Sequence, residues 1–156
     1  MHTASLLTTL LATATLTLAN TVTFQSQDDT ERTVIFTPSP GHDNIPDLQV
    51  AGNAEETAEF PQGWEGNWYS VSKGANEEPG MLGEVVFQAY GGHTYFDVSA
   101  IVNPNDHKGV KQMWPKESKS PKSGCEMFPC DTAYNAPNDV QTKSTSETDL
   151  VCTLGG

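Results

Sequence analysis

The sequence predicts an all-β domain, built as a sandwich or flattened barrel. Three observations predict it: short segments in which apolar and polar residues alternate, turn-forming clusters between them, and few long helical patterns. Ten prolines and 13 glycines in 156 residues suit such a turn-rich chain.

The first 19 residues carry no charged side chain and run LLTTLLATATLTLA before Asn20. An apolar stretch of this kind ending Thr17-Leu18-Ala19 predicts a secretory signal peptide over residues 1–19, cleaved after Ala19. A membrane span needs about 20 uniformly apolar residues, and five threonines between positions 8 and 17 break that uniformity. No later stretch is apolar enough to cross a bilayer. The expectation is a soluble, secreted protein whose residues 20–156 form one domain with a modest core.

Within that domain the alternating segments predict strands in order: TVTFQ (21–25), RTVIFT (32–37), ETAEF (56–60), NWYSVS (67–72), EVVFQAY (84–90), TYFDVSAI (94–101) and DLVCTL (149–154). The pieces TPSPGHDNIPD, KGANEEPGM and KESKSPKSG between them read as turns and loops. Trp68 falls inside a strand and is expected in the core, whereas Trp64, in PQGWEGN, is a candidate ligand-stacking surface.

The net charge is −12 and unevenly placed. Residues 28–84 hold 12 acids against Arg32 and Lys73, while residues 108–122 hold five lysines against Glu117 and read as a solvated loop. Such an acidic chain repels nucleic acid and anionic membranes at long range. Cys125, Cys130 and Cys152 are the only cysteines. In an oxidising compartment an odd count implies one bridge and one leftover thiol. Closing Cys125 or Cys130 onto Cys152 would tether the C-terminus, worth roughly 3 kcal/mol in the chain-entropy picture. Three cysteines without a C-x-x-C pair lack zinc-ligand spacing, so neither metal nor cofactor is expected.

Residues 84–101 support a sharper expectation. EVVFQAY-GG-HTYFDVS reads as a hairpin turning at Gly91-Gly92. Counting outward from that turn pairs Phe87 with Phe96 and Val85 with Val98 on one apolar face. On the other face Glu84 opposes Ser99, Val86 opposes Asp97 and Gln88 opposes Tyr95. Glu84 and Asp97 become diagonal neighbours about 7–8 Å apart. Paired carboxylates can bind a cation, make an acidic groove for polar ligands, or serve as acid and base on a glycosidic bond. The following run Asn103-Pro104-Asn105-Asp106-His107 contains nuclease residue types, but its Asn, Pro and Asp make it foremost a turn.

The segments VTFQSQDDTERTVIF, GNWYSVS, GMLGE, YFDVSAIVNP, CDTAYNAPNDV and DVQTK together resemble the small secreted fungal thaumatin-like proteins, the CetA-like or antigenic thaumatin-like group. The resemblance covers nearly the whole of residues 20–156 and implies a compact thaumatin-like β-sandwich without the disulfide-rich second domain. Larger relatives carry an acidic cleft of one Arg, one Glu and three Asp, linked to β-glucan. In this resemblance Glu84 matches the cleft glutamate, Asp97 the first aspartate and Asp139 the last. Val102 stands in place of the second aspartate, and no arginine stands where the cleft arginine is expected. The resemblance also implies Cys125–Cys152 as the bridge, with Cys130–Cys152 the alternative.

These observations lead to an expected interaction protein of effector or antigen type. It would bind cell-wall or host polysaccharide such as β-glucan, or a host protein, through Glu84, Asp97 and Asp139, with Tyr95 and Trp64 stacking on sugar. The alternatives are a weak endo-β-1,3-glucanase using Glu84 and Asp97, and a secreted metal-dependent nuclease with Asp106 and His107 as its candidates.

Overall fold

The computed structural model describes residues 19–156. The expected leader therefore lies outside the described residues except for Ala19. The strands are β1 (Asn20–Ser26), β2 (Arg32–Pro38), β3 (Leu48–Val50), β4 (Glu55–Phe60), β5 (Glu65–Ser72), β6 (Leu82–Val86), β7 (Thr94–Ser99), β8 (Val110–Pro115), β9 (Ser123–Gly124), β10 (Lys143–Thr145) and β11 (Asp149–Leu154). They form a five-stranded sheet in the order β4-β1-β11-β8-β9 and a six-stranded sheet in the order β10-β7-β6-β5-β2-β3. The two sheets pack as a compact β-sandwich. β1 and β11 pair in parallel, from Thr21 opposite Asp149 to Ser26 opposite Leu154, so the two ends of the domain lie side by side.

The core follows from period-two alternation. Val22 and Phe24 of β1, Val34 and Phe36 of β2, and Leu150, Cys152 and Leu154 of β11 all turn inward. Phe24 meets the Trp68 ring edge-on at 5.5 Å, and Phe60 lies 4.9 Å from Trp64 and 5.3 Å from Phe87. Such edge and tilted contacts add to the burial of large rings. Trp68 needs room, and Gly83 on the adjacent strand supplies it: a Cβ there would lie 2.5 Å from Trp68 Nε1.

Arg32, the only arginine in the sequence, is fully buried. Its guanidinium donates to Lys108 O at 2.8 Å, Ser26 Oγ at 3.1 Å, Thr30 O at 3.0 Å and both Asp28 carboxylate oxygens at 2.8 and 2.7 Å. Asp28 Oδ2 also accepts the Gly156 amide at 3.2 Å. One buried cation thus ties the β1–β2 turn to the loop before β8 and to the final residue. Burial of the charge is tolerable because its donors are satisfied.

Two sequence expectations change here. The lysine-rich run is not wholly a solvated loop, since Val110–Pro115 forms β8 beside β11. Lys111 is buried there and donates from Nζ to Glu126 O at 3.1 Å. The β6–β7 connection is also longer than a two-residue turn. Phe87 leaves the ladder to donate its amide to Trp64 O at 3.0 Å, Gln88 takes a positive φ of 49°, and Tyr90–Gly92 forms a short 3-10 turn.

Candidate functional site

The longer connection moves the hairpin register by two residues. Val85 now faces Phe96, Val86 faces Tyr95, and Glu84 directly faces Asp97. An even shift leaves every side chain on its expected face. Glu84 and Asp97 therefore share the outer face of the six-stranded sheet, as opposed rather than diagonal residues.

The same row continues across the sheet. Asn67 of β5 pairs with Glu84, and Thr37 of β2 pairs with Asn67. Thr37, Asn67, Glu84 and Asp97 make one polar stripe over four adjacent strands, about 14 Å long at the usual strand separation. Glu65, Tyr95 and Thr142 join Glu84 and Asp97 in lining a shallow groove of about 240 Å³. Sequence reasoning missed Asn67, Thr37 and Thr142. The outward parity of Asn67 and Thr37 was readable within their strands, but their alignment with Glu84 depends on strand order.

Asp97 is the unusual member. It is only 8% exposed although it points away from the core, because Thr142 and the short edge strand β10 cover it. Thr142 Oγ1 donates to Asp97 Oδ2 at 3.3 Å and also shares a 2.9 Å hydrogen bond with the Tyr134 hydroxyl. Asp97 Oδ1 is buried without a donor. Burial, then the Glu84 charge and a hydrogen bond with Glu84, push the Asp97 carboxyl up to about 7. Thr142 and Lys143 pull it the other way. Below about pH 7 the Asp97 carboxyl therefore keeps its proton beside Glu84. The site offers both a carboxyl O–H donor and carboxylate acceptors.

Tyr95 lines this groove and donates its hydroxyl to Tyr90 O at 3.2 Å. Trp64 lies away from it, in the core. It is 1% exposed, packed on Phe60, and its indole N–H donates to Asp43 O at 2.9 Å. A ring sealed among aromatics has no free face for a sugar. Asp139 is engaged elsewhere: its Oδ2 accepts the amides of Asn135 and Ala136 at 2.8 and 2.9 Å, closing its own turn. It does not line the groove of Glu84 and Asp97.

The bridge also differs from expectation. Cys125 pairs with Cys130, and Cys152 is a free buried thiol. Alternation along β11 points Cys152 into the core beside Leu150 and Leu154, while Cys125 and Cys130 flank one loop and meet there.

A larger groove, about 410 Å³, lies beside the Asn103–Lys108 loop. Asn76, Glu78, Asn103, Asn105, His107 and Lys108 line it, and the buried Ser70 hydroxyl at its wall has no partner. Asp106 is committed to holding this loop. Its Oδ2 accepts the Met81 amide at 2.9 Å and its Oδ1 the Lys108 amide at 3.1 Å. Gly80 and Gly109 leave the space its carboxylate fills. Among the described residues no three His, Cys, Asp or Glu side chains converge as metal ligands.

Fold and groove define a small β-sandwich protein with a polar, acidic stripe across its larger sheet. The chain belongs to the family of antigenic protein SchS21 from the fungus Stachybotrys chartarum, to which it is 56% identical over 134 residues. That alignment spans 86% of this chain and 93% of the relative. No family model matches the chain.

Proposed function

We propose that this is an exported, antigen-type interaction protein of thaumatin-like kind that binds a neutral polysaccharide such as β-1,3-glucan along the Thr37–Asp97 stripe. The carrying observation is the directly opposed Glu84–Asp97 pair, in which the Asp97 carboxyl is pushed up to about 7. Sugar hydroxyls both donate and accept, and a carboxyl beside a carboxylate answers both needs. Tyr95 supplies an aromatic flank at the groove. The apolar, uncharged N-terminal run and the antigenic relative support export. Among the described residues no helix is long and apolar enough to cross a membrane.

The same pair is the one a weak endo-β-1,3-glucanase would use as acid and nucleophile or base. A pull-down on insoluble β-1,3-glucan tests the reading. Wild type should be retained and the Glu84→Ala/Asp97→Ala variant lost; equal retention, or none for either, overturns it. Reducing-sugar release from laminarin that vanishes in both single variants would restore the glucanase alternative.

A second reading rests on the larger groove, where His107, Lys108 and three asparagines surround the unpartnered Ser70 hydroxyl. A secreted nuclease would use His107 as base and Lys108 against phosphate. Asp106 drops out of that role because its carboxylate holds backbone amides. DNA cleavage abolished by EDTA and by His107→Ala would support this reading. Cleavage that survives both would trace to a contaminant.

A further inference from the structure

Of the strands at the sheet edges, β3 has three residues, β9 two and β10 three, whereas β4 runs for six. An edge presents unpaired N–H and C=O groups to any incoming strand, and proteins commonly blunt it by shortness, proline or a bulge. β4 has none of these: EETAEF lies in unbroken antiparallel register with β1, from Gln25 opposite Glu55 to Asn20 opposite Phe60. The Ser26 amide donates to Ala54 O at 2.9 Å, and the Thr21 amide turns the other way to Thr148 O at 3.0 Å. Antiparallel bonding alternates. Glu56, Ala58 and Phe60 therefore direct their backbone groups to β1, while Glu55, Thr57 and Glu59 direct theirs away from the sheet. No other described strand lies on that side. Ala58 and Phe60 fill the core, so the Glu55, Thr57 and Glu59 side chains stand on the outer face, and each is exposed.

We propose that β4 is a docking edge for an extended basic segment of another protein, which adds a strand beside it with lysine or arginine opposite Glu55 and Glu59. Main-chain bonds to Glu55, Thr57 and Glu59 supply affinity, and the alternating charge sets the choice of partner. Charge complementarity selects this occupant. Among the described residues neither Glu55 nor Glu59 pairs with a cation, and Glu55 only accepts from Gln25 Nε2 at 2.8 Å. Exposed Glu56 adds a further negative charge at the same edge. A second copy of the chain fits badly. Antiparallel pairing of β4 with itself about Thr57 sets Glu55 against Glu59, and like charges directly opposed destabilise a ladder. A Lys-x-Thr-x-Lys segment reverses that sign at both positions and sets a β-branched residue against Thr57. The edge belongs to the five-stranded sheet, apart from the Glu84–Asp97 groove on the other sheet.

Fluorescence anisotropy of a labelled peptide, TKVTVKT, titrated with the purified protein at low salt tests this. Binding that saturates by about 1 mM protein, and is about tenfold weaker in Glu55→Lys/Glu59→Lys and in Thr57→Pro, is expected. Proline at an outward-facing edge position removes a donor that the fold does not use, so Thr57→Pro spares the ladder with β1. Amide hydrogen exchange reads the same edge in wild type. The Thr57 and Glu59 amides should exchange freely alone and become protected with peptide. No saturation overturns the proposal. Equal binding by Thr57→Pro, or no gain in protection at those amides, also overturns it, since the attraction would then be diffuse association with an acidic surface. If Thr57→Pro does not fold, peptides N-methylated on alternate residues take its place. Methylation of the set facing β4 should abolish binding, and binding that survives methylation of either set overturns the strand pairing.

Discussion

Glu84 and Asp97 stand directly across from each other on β6 and β7, yet only Asp97 is covered, by Thr142 and the edge strand β10. This asymmetry predicts how stability varies with pH. The ordinary carboxyl value for Asp97 is 3.8, and the folded protein raises it to about 7. Between those values the folded chain binds more protons than the unfolded one. The stability this group contributes is present below the lower value and is lost as pH rises through the higher. Urea denaturation in divalent-free buffer should show stability falling from about pH 4 to about pH 7 and flattening above. Asp97→Asn should remove that slope and be more stable than wild type at pH 8. Parallel profiles for the two proteins would contradict the raised Asp97 carboxyl.

The acid side of the profile belongs to Asp28. Its hydrogen bonds with the buried Arg32 guanidinium hold its carboxyl well below the usual range. The sign is opposite to that of Asp97: stability is present above the ordinary value and lost as pH falls. Together the two groups place maximum stability at about pH 4. Asp28→Asn leaves Arg32 buried without its counter-ion and should cost about 3 kcal/mol at neutral pH. It should also flatten the acid limb while leaving the limb above pH 4 unchanged.

The sequence made the faces of the hairpin legible but not its register. Val85, Phe96 and Val98 alternate with Glu84, Tyr95 and Asp97 strictly enough to separate core from solvent. The register needed the turn, and the diglycine misled because Phe87 departs to cap the Trp64 carbonyl and Gln88 takes a positive φ. Trp64 stands in phase with the buried Gly66 and Trp68, with Glu65 and Asn67 turned outward, so its burial was readable by continuing the β5 alternation back past Glu65. β8 was hidden by lysines, although Val110, Met113 and Pro115 are buried and Lys111 reaches a carbonyl for its ammonium. The Thr37–Asn67 half of the stripe depends on which strands lie adjacent, which no local pattern encodes.

The cysteines give a chemical count. Cys152 is fully buried, and burial pushes its thiol up to about 12. It should resist alkylation in the native protein. Mass spectrometry should find no label natively, one per chain in denaturant without reductant, and three after reduction. Opening the short Cys125–Cys130 loop should lower stability by about 2 kcal/mol. A native label on Cys152, or a peptide linking it to Cys125, would contradict this pairing.

Gly83 links the core to the groove. It pairs with Trp68 on β5, immediately precedes Glu84, and has the Trp68 indole where its Cβ would stand, 2.5 Å from Nε1 and 2.6 Å from Cε2. The indole is enclosed by Phe24, Phe36 and Phe60, so it has little room to retreat. Gly83→Ala should therefore cost about 1–3 kcal/mol by overpacking. Trp68→Phe removes atoms from the crowded side. In a double-mutant cycle the two changes should cost less together than the sum of the singles, by at least about 0.5 kcal/mol. Movement of β6 against β5 would carry Glu84 with it, so Gly83→Ala should also alter the pH slope assigned to Asp97. Additive energies with an unchanged slope would mean that Gly83 occupies its place for a reason other than Trp68.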